Sequence, residues 1–380
     1  MDKNDYRAQI DKIDEKLVAL FIERMSVSKE IAEYKKQNNL PILDMKRERE
    51  KLNQIIGLSP DELKHYMPQL YSLIFELSRS YQSKLITPNS ELTNKIKNAI
   101  ENTPKVFPEF TSVACQGVDG SYSQLACDKL FKNANILFFS TFDAVFKAIE
   151  KGLCRYGVIP IENSTAGSVN TVYDLMAHHN FSIVRSIRLK VEHSLLAKPG
   201  VKFSEIKEIY SHEQAITQCS EFLQDVKDVK IIPCENTAVA AKMASESDRR
   251  DIAALSSKLC MQYYGLDCLK ESVQNTGNNY TRFICITKDL EIYPGADRTS
   301  LMVTLPHVPG ALYKLLSRLY ALNINLNKLE SRPLSNKEFE FMFYFDLDTP
   351  VYSPQFLQLI DELPSSCDTF RYFGSYNEVI

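Results

Sequence analysis

Hydrophobic residues recur at helical spacing in some parts of the chain and alternate as in strands in others, and the first segment shows only the helical spacing. Residues 1–88 contain no strand pattern, and apolar residues such as Ile10 and Leu17 recur at helical spacing. The pattern predicts a first helix of roughly 30 residues, a second from about Asp44, and a third over about 61–86. Because a lone helix of that length has no core of its own, the first helix must pack on something large.

Residues 106–290 alternate short β-type runs with helical runs. This alternation predicts an α/β domain with a largely parallel sheet. Residues 89–105 are polar and bounded by prolines, which is typical of a linker. The predicted strands are SVACQG, NILFFS, EIYSH, KIIPC, IAALSS and RFICIT.

The pattern changes again near Thr299, and residues 298–380 form a third segment. Strands are predicted for SLMVTL, NLNKLES, EFEFMFYFDLD and FRYFGSY, and helices for PGALYKLLSRLYALN and PQFLQLIDEL. The order βαββαβ predicts an α+β, ferredoxin-like sandwich. Many domains of this shape bind small effectors, but the shape alone does not establish binding.

Composition narrows the class of protein. The chain has 380 residues, 44% of them hydrophobic, which is enough for two or three packed domains. A net charge of −3 argues against nucleic acid as the main partner. Nine cysteines without a C-x-x-C pair indicate reduced thiols. Neither a signal peptide nor an apolar run of 18 residues is present, so a cytoplasmic location is expected.

The first predicted helix carries cations at informative spacing. Arg24 and Lys35 are 11 residues apart, three helical turns, so they share one face about 16 Å apart. Solvated surface charges are the ordinary interpretation of such residues, but this pair is also suited to hold a small dianion. Arg7 precedes Arg24 by 17 residues, about 25 Å along the axis and on another face. A functional Arg7 would therefore come from a second copy, which predicts a homodimer with shared sites.

Polar residues gather where strands of the middle segment run into helices. The stretch YGVIPIENSTAGSVNTVYDLM reads as a buried strand, a polar elbow and a helix. Such junctions bind small anionic ligands in open α/β sheets. Each Ser, Asn or Thr there also has a simpler interpretation as a helix N-cap. Four junctions and one polar strand opening favour a shared crevice: GVDGSYSQ, ENSTAG, SHEQAITQ, CENTA and NNYTRF.

The helical segment resembles the all-helical class of chorismate mutase through YRAQIDKIDEKLVALFIERMSVSKEIAEYK, PILDMKREREKL and ELSRSYQ. The reaction is a pericyclic rearrangement, so the enzyme need only hold a dicarboxylate in its reactive conformer and stabilise charge on the ether oxygen. The resemblance implies that arginines bind the carboxylates, that Lys35 and Gln82 contact the ether oxygen, and that Asp44 and Glu48 hold the ring hydroxyl and orient the cations. The family's motif positions fall on Arg7, Arg24, Lys35, Asp44, Arg47, Glu48, Ser78 and Gln82.

The middle segment resembles prephenate dehydratase. The signatures are P-I-E-N-S with a following glycine at Gly167, S-H-x-Q from Ser211, and T-R-F from Thr281. Two departures flank the site, Val118 and Glu213, both where the family usually has proline. The resemblance implies a two-lobed domain, like a periplasmic binding protein, with its site in the cleft.

The resemblance also implies roles in the loss of CO₂ and water from prephenate. Thr281 is the leading candidate for the contact with the leaving hydroxyl, and Glu162 is the alternative acid. Thr281 is expected to act either as a donor polarised by Arg282 or as a relay, and Arg282 is expected to bind the pyruvyl carboxylate. The remaining members of the implied site are Asn163, Ser164, Ser211, Gln218 and Glu235.

The third segment resembles the ACT regulatory domain of phenylalanine-sensitive dehydratases. Two effector motifs carry the resemblance, and Tyr313 replaces a smaller aliphatic residue after the first. Glu330 and Arg332 are candidates for the ammonium and carboxylate of an amino acid, or for pairing with each other. Effector sites in this family form between two such domains, which again requires an oligomer. The motif residues are Gly310, Ala311, Leu312, Glu330, Ser331 and Arg332.

The three resemblances together imply a bifunctional enzyme that converts chorismate to prephenate and prephenate to phenylpyruvate, with feedback by phenylalanine. No H-E-x-x-H, P-loop or G-x-G-x-x-G motif is present, so no metal or other cofactor is expected. Two alternatives remain open. One is a catalytically decayed protein that senses an amino acid, and the other is a dehydratase that prefers arogenate.

Overall fold

The computed structural model describes residues 3–86, 90–334 and 341–379. The chain divides into two compact units. The first comprises Met1–Lys97 with Met302–Arg371, and the second comprises Asn98–Leu301 with Tyr372–Ile380.

Helices form the N-terminal part of the first unit, as the apolar spacing predicts. They are α1 (Lys3–Gln37), α2 (Met45–Leu58) and α3 (Met67–Ile86), with a 3₁₀ turn at Asp61–Leu63. The Asp44 side chain caps α2 by accepting the Arg47 N–H at 2.9 Å. Both α1 and α2 pack against α3, so α3 is the element that brings site residues of the other two helices together.

The segment predicted as a linker contains a helix, α4 (Glu91–Asn102). Ser90 caps it, since the Thr93 N–H donates to the Ser90 hydroxyl at 3.1 Å. Ile96 and Ala99 are buried on one face. Because residues 96 and 99 are one turn apart, the apolar side of this helix is narrow. The otherwise polar composition of the segment therefore led to the prediction of a linker.

The middle of the chain alternates strands and helices, in agreement with every strand predicted there. A further 3₁₀ turn covers Phe203–Glu205. The elements are β1 (Phe110–Gln116), α5 (Tyr122–Leu130), β2 (Asn133–Phe139), α6 (Phe142–Glu150), β3 (Tyr156–Asn163), β4 (Gly167–Ser168), α7 (Asn170–His178), β5 (Ser182–Lys190), β6 (Ser194–Ala197), β7 (Glu208–Ser211), α8 (Glu213–Gln218), α9 (Ser220–Gln224), β8 (Lys230–Pro233), α10 (Thr237–Glu246), β9 (Ile252–Ser256), α11 (Leu259–Tyr264), β10 (Asp267–Lys270) and β11 (Tyr280–Thr287).

The C-terminal part has the predicted βαββαβ order. Its strands lie in the spatial order β13–β14–β12–β15, which is that of a ferredoxin-like sheet. Residues 338–340 of the third predicted strand lie outside the described residues. The elements are β12 (Arg298–Thr304), α12 (Ala311–Ala321), β13 (Asn325–Pro333), β14 (Phe341–Asp348), α13 (Pro354–Glu362), a 3₁₀ turn (Leu363–Ser366) and β15 (Thr369–Val379).

Residues 106–290 form two mixed sheets, so the prediction of a largely parallel sheet is wrong. In the first, β1 pairs parallel with β2 and β3, but β11 pairs antiparallel with β3 and β5. In the second, the order is β10–β6–β9–β7–β8, with β6 antiparallel to both neighbours. The error arises because the chain crosses from one sheet to the other after β5 and returns at β11. Each sheet has its own buried core, which confirms two lobes.

Candidate active sites

Helix α3 places two polar residues against predicted site residues of α1. The Arg24 guanidinium donates to the Ser78 hydroxyl, and Lys35 Nζ donates to Gln82 Oε1 at 3.3 Å. Ser78 and Gln82 are both buried and lie four residues apart, on one face of α3. The structure therefore brings together four of the eight predicted mutase residues in two hydrogen-bonded pairs.

The two cations of this site are partly desolvated. Burial lowers the pKa of Lys35 below its usual value, and Arg79 lowers it further, against the opposing effect of Asp44 and Glu48. Burial likewise lowers the pKa of Arg24, while Tyr71 and Glu48 act in the opposite direction. Partial exclusion of water strengthens the attraction of both side chains for an anion.

The other predicted mutase residues have different surroundings. Glu48 accepts a hydrogen bond from Arg79, a residue that is not among the eight predicted motif positions. Asp44 acts as the N-cap of α2. Arg47 is exposed, with Glu50 at 4.0 Å, and Arg7 is exposed on the first turns of α1.

In the second unit, adjacent strands bring Asn163 and Thr281 together. They are opposite each other in the antiparallel β3–β11 ladder, and Asn163 Nδ2 donates to Thr281 Oγ1 at 2.9 Å. The same amide donates to Asn279 Oδ1 at 2.8 Å. Because Thr281 Oγ1 accepts from Asn163, its own O–H remains available for a ligand. Thr281 is half-buried, whereas Asn163 and Asn279 are buried.

A continuous hydrogen-bond network fixes the orientation of the Asn163 amide. Its Oδ1 accepts from the Thr165 hydroxyl at 2.7 Å, and Gln218 Nε2 donates to Thr165 at 3.1 Å. Gln218 Oε1 accepts from Asn279 Nδ2 at 3.0 Å and lies 3.1 Å from His193 Nε2. Burial lowers the pKa of His193, so a neutral ring donates its Nε2–H to Gln218. Sequence reasoning missed Thr165, Asn279 and His193 as parts of this network.

Glu162 and Arg282 lie on the opposite face of the same two strands. They are also paired across the ladder, with 3.3 Å between Arg282 Nη2 and Glu162 Oε2. Neighbouring residues of a strand point to opposite faces, so Arg282 is directed away from Thr281. The expectation that Arg282 polarises Thr281 is therefore wrong, and its buried side chain is poorly placed to bind a carboxylate beside Thr281.

Two predicted serines have structural hydrogen bonds. The Ser211 hydroxyl is fully buried and donates to the Leu255 carbonyl at 2.8 Å. Ser164 accepts the Tyr280 N–H at 2.9 Å and donates to the Asn278 carbonyl at 3.2 Å. Both serines therefore tie strands together and lie outside the Asn163–Thr281 pair.

The residues of the remaining junctions either cap helices or line a cavity. The helix N-cap interpretation holds for Ser121, His212 and Asn236, each of which accepts a backbone N–H from its own helix. Glu235 lines a cavity with Gly117 and belongs to that cavity rather than to the Thr281 network. The lining is completed by Gln116, Val118, Phe138, Phe139, Ser140, Asn236 and Val239.

The predicted effector motifs occupy two elements that pack together, α12 and β13. Gly310 is the N-cap of α12 with φ +80°, a backbone conformation that favours glycine. Glu330 and Arg332 alternate with Ser331 along β13, so these two charged residues share one face, with Lys328 at 4.0 Å from Glu330. Tyr313 is 61% exposed and lines a groove with Leu70 and Leu73 of α3.

Comparison with known proteins follows the same division of the chain. Residues 6–83 match the family model of chorismate mutase type II, and residues 113–291 match that of prephenate dehydratase. The bifunctional chorismate mutase/prephenate dehydratase of Escherichia coli K12 is 31% identical over 378 residues, which cover 97% of this chain and 95% of the relative. The chain belongs to this bifunctional family. It therefore has chorismate mutase and prephenate dehydratase activities of phenylalanine biosynthesis, which confirms the predicted enzyme class.

Two further proteins are similar to parts of the present chain. The chloroplastic arogenate dehydratase/prephenate dehydratase 2 of Arabidopsis thaliana is 32% identical over 79% of this chain and 80% of the relative. The prephenate dehydratase of Arthrobacter aurescens in complex with L-Phe aligns with a TM-score of 0.65 and 27% identity, over 70% of this chain and 90% of that one. Among the described residues, no helix is long and apolar enough to cross a membrane.

Proposed function

We propose that Arg24, Lys35, Ser78 and Gln82 form the binding core of the chorismate site. The two hydrogen-bonded pairs support this, because all four side chains carry N–H or O–H donors and chorismate offers carboxylates and an ether oxygen as acceptors. Lys35 and Gln82 donate to the ether oxygen as negative charge develops on it. Arg24 and Ser78 hold a carboxylate and so fix the reactive conformer. Glu48 and Asp44 hold the ring hydroxyl, and Arg47 supplies positive charge at the edge of the chorismate site.

We propose that the complete site requires a second copy of the chain, with Arg7 supplied by the partner. Apolar residues at 3.5-residue spacing form a stripe along α1 whose members Ile10, Ile13, Leu17 and Leu20 are 55–65% exposed. That spacing is the one a partner helix covers. Arg24 continues this stripe, so a second α1 laid along it would bring its own residues next to Arg24.

Subunit complementation tests this assignment of Arg7. Arg7→Ala and Lys35→Ala chains are each expected to lack mutase activity. Random exchange of subunits should make half of the dimers mixed, each with one intact site, and so restore about a quarter of the wild-type activity. Each variant exchanged with itself is the control. If exchange restores nothing, or if Arg7→Ala alone is active, Arg7 does not complete a partner's site.

We propose that Thr281 donates its hydroxyl proton as a hydrogen bond to the leaving hydroxyl of prephenate. Loss of CO₂ releases the electron pair that aromatises the ring and expels the hydroxyl group. The leaving oxygen takes up one proton from solvent to depart as water, and the Thr281 hydrogen bond lowers the charge on it as the C–O bond breaks. Asn163, held by Thr165, Gln218 and Asn279, fixes Thr281 as the donor. Glu235 lines a cavity outside this network, and the Glu162–Arg282 pair links the two strands on their opposite face.

We propose that the C-terminal fold is an ACT domain at which phenylalanine acts as feedback inhibitor, in an oligomer located in the cytoplasm. Gly310 presents open backbone just before Ala311 and Leu312 at the start of α12, since a Cβ at Gly310 would meet nothing within 4 Å. The charged face that carries Glu330 and Arg332 offers partners for an ammonium and a carboxylate. The Arthrobacter aurescens relative, in complex with L-Phe, also supports this ligand.

A coupled assay on the purified protein tests both catalytic sites and the effector proposal. Chorismate and prephenate should each yield phenylpyruvate, and phenylalanine should suppress its formation. Turnover without suppression would contradict only the effector proposal. The likeness to the Arabidopsis thaliana relative makes arogenate the second candidate substrate. A higher kcat/KM for arogenate than for prephenate, measured as phenylalanine release, would favour that alternative.

A further inference from the structure

A series of side chains with alternating charges runs through the interior of the first unit. It begins at Glu48 on α2 and passes through Arg79 and Glu76 on α3. It ends at Arg318 on α12, whose Nε donates to Glu76 Oε1 at 2.9 Å, and at Glu362 on α13, 3.5 Å from the same Nε. The side chains of Glu76, Arg79 and Arg318 are at most 17% exposed, so solvent screens these contacts weakly.

The two inner members of this series, Arg79 and Glu76, are each held from both sides. Arg79 donates one Nη to Glu48 and the other to Glu76. Glu76 accepts from Arg79 on Oε2 and from Arg318 on Oε1. Burial alone would raise the pKa of Glu76, but Arg318 and Arg79 together lower it, so the carboxylate is charged at neutral pH. A guanidinium with two fixed carboxylates has little freedom to rotate.

Arg318 is in turn fixed within the C-terminal fold. Its Nη1 donates to the Ser366 hydroxyl at 3.0 Å. Gln358 of α13 donates to Glu362 Oε1 at 2.8 Å and to the Ser80 hydroxyl of α3 at 2.7 Å. Helix α3, which carries Ser78 and Gln82, is therefore tied to both helices of the βαββαβ fold by buried polar contacts.

We propose that Arg79 is a positioning residue for Glu48 in the chorismate site, and that Arg318 of the C-terminal fold holds Arg79 in place through Glu76. This inference rests on the proposed role of Glu48. Arg79 makes no contact with substrate in this arrangement. It sets the direction of the Glu48 carboxylate, which must face the ring hydroxyl and the cations of α1. The rearrangement thus depends on a residue more than 230 positions further along the chain.

The test measures mutase kcat and KM on full-length variants, with dehydratase activity as an internal reference. Arg79→Gln should lower mutase kcat by about 10- to 100-fold, because misplacement of a site group by about 1 Å has effects of that order. Arg318→Gln should lower it by about 2- to 30-fold, the range of indirect coupling. In both variants KM should change less than kcat, and dehydratase activity should stay at the wild-type level.

Three further variants sharpen the result. The double variant Arg79→Gln/Arg318→Gln should resemble Arg79→Gln alone, because both changes act through one path. Arg318→Lys should recover part of the loss, since an ammonium can still pair with Glu76. Lys314→Gln, an exposed position one turn earlier on α12, should leave both activities unchanged.

Other outcomes overturn the inference. Unchanged mutase kcat in Arg318→Gln would do so, as would effects that multiply in the double variant or a parallel loss of dehydratase activity. Glu48→Gln tests the underlying role separately. Full mutase activity in Glu48→Gln would reject the proposed role of Glu48, whereas a strong loss there with no effect of Arg318→Gln would reject only the path through Arg318.

Discussion

Replacing Lys35 by alanine is expected to lower mutase kcat by about a hundred- to a thousand-fold, the effect of removing one preorganised donor from developing negative charge. Prephenate dehydration should remain at the wild-type rate, because Lys35 and Thr281 lie in different units. The loss should appear in kcat more than in KM, since the ether oxygen gains charge only in the transition state. Steady-state kinetics with chorismate and with prephenate, on the same preparation, measure both.

A neighbouring lysine provides the control for charge and helix propensity. Lys36 is exposed on α1, and Lys36→Ala should leave both activities unchanged. If Lys35→Ala abolishes dehydration as well while the protein stays folded, the two reactions do not have separate sites. If it keeps mutase activity, the ether oxygen has another donor.

The lowered pKa of Lys35 gives this prediction a pH dependence. Only the protonated ammonium stabilises negative charge fully, and burial makes Lys35 lose its proton at a lower pH than a free lysine does. Wild-type mutase activity should therefore fall as pH rises through that lowered pKa. In Lys35→Arg the guanidinium stays charged, so the alkaline decline should disappear even though the altered geometry makes the enzyme slower.

The sequence motifs predicted several side chains that the structure brings into contact, although the same motifs also include residues that lie outside those contacts. Lys35 and Gln82 are 47 residues apart, yet each carries the residue type that the mutase resemblance requires. Arg79 has no such marker. Its proposed role depends on Glu48 of α2, which it contacts directly, and on Arg318 of α12, which contacts the neighbouring Glu76. No spacing within one helix encodes contacts between different helices.

In the middle segment, the sequence did not predict the direction in which strands pair or the sheet face to which each side chain points. The runs that become β5 and β11 look alike in sequence whether they pair parallel or antiparallel, and about 90 residues separate them. Thr281 and Arg282 are neighbours in the T-R-F signature, which suggested one shared role. Their register against Asn163 and Glu162 places them on opposite faces, and register is a tertiary property that the motif does not contain.

Thr281→Val should lower dehydratase kcat by about a hundred- to ten-thousand-fold and leave mutase activity unchanged. Valine keeps the β-branched shape that fits the strand, but it cannot donate a hydrogen bond. It also leaves one Asn163 N–H without its acceptor, whereas Asn279 still accepts the other N–H at 2.8 Å, so the amide should keep its orientation.

Thr281→Ser separates loss of the hydroxyl from loss of packing. Serine restores the donor without the methyl group, so this variant should retain most of the dehydratase activity, while Thr281→Val does not. Prephenate binding, measured by equilibrium titration of Thr281→Val, should change far less than kcat, because the bond to the leaving oxygen strengthens only as that oxygen departs. Equal losses in the serine and valine variants would mean that the threonine methyl positions the substrate. Full activity in Thr281→Val would instead assign the hydrogen bond to the leaving hydroxyl to another residue. Glu162 would be the first to examine, in spite of its place on the opposite face of the strands.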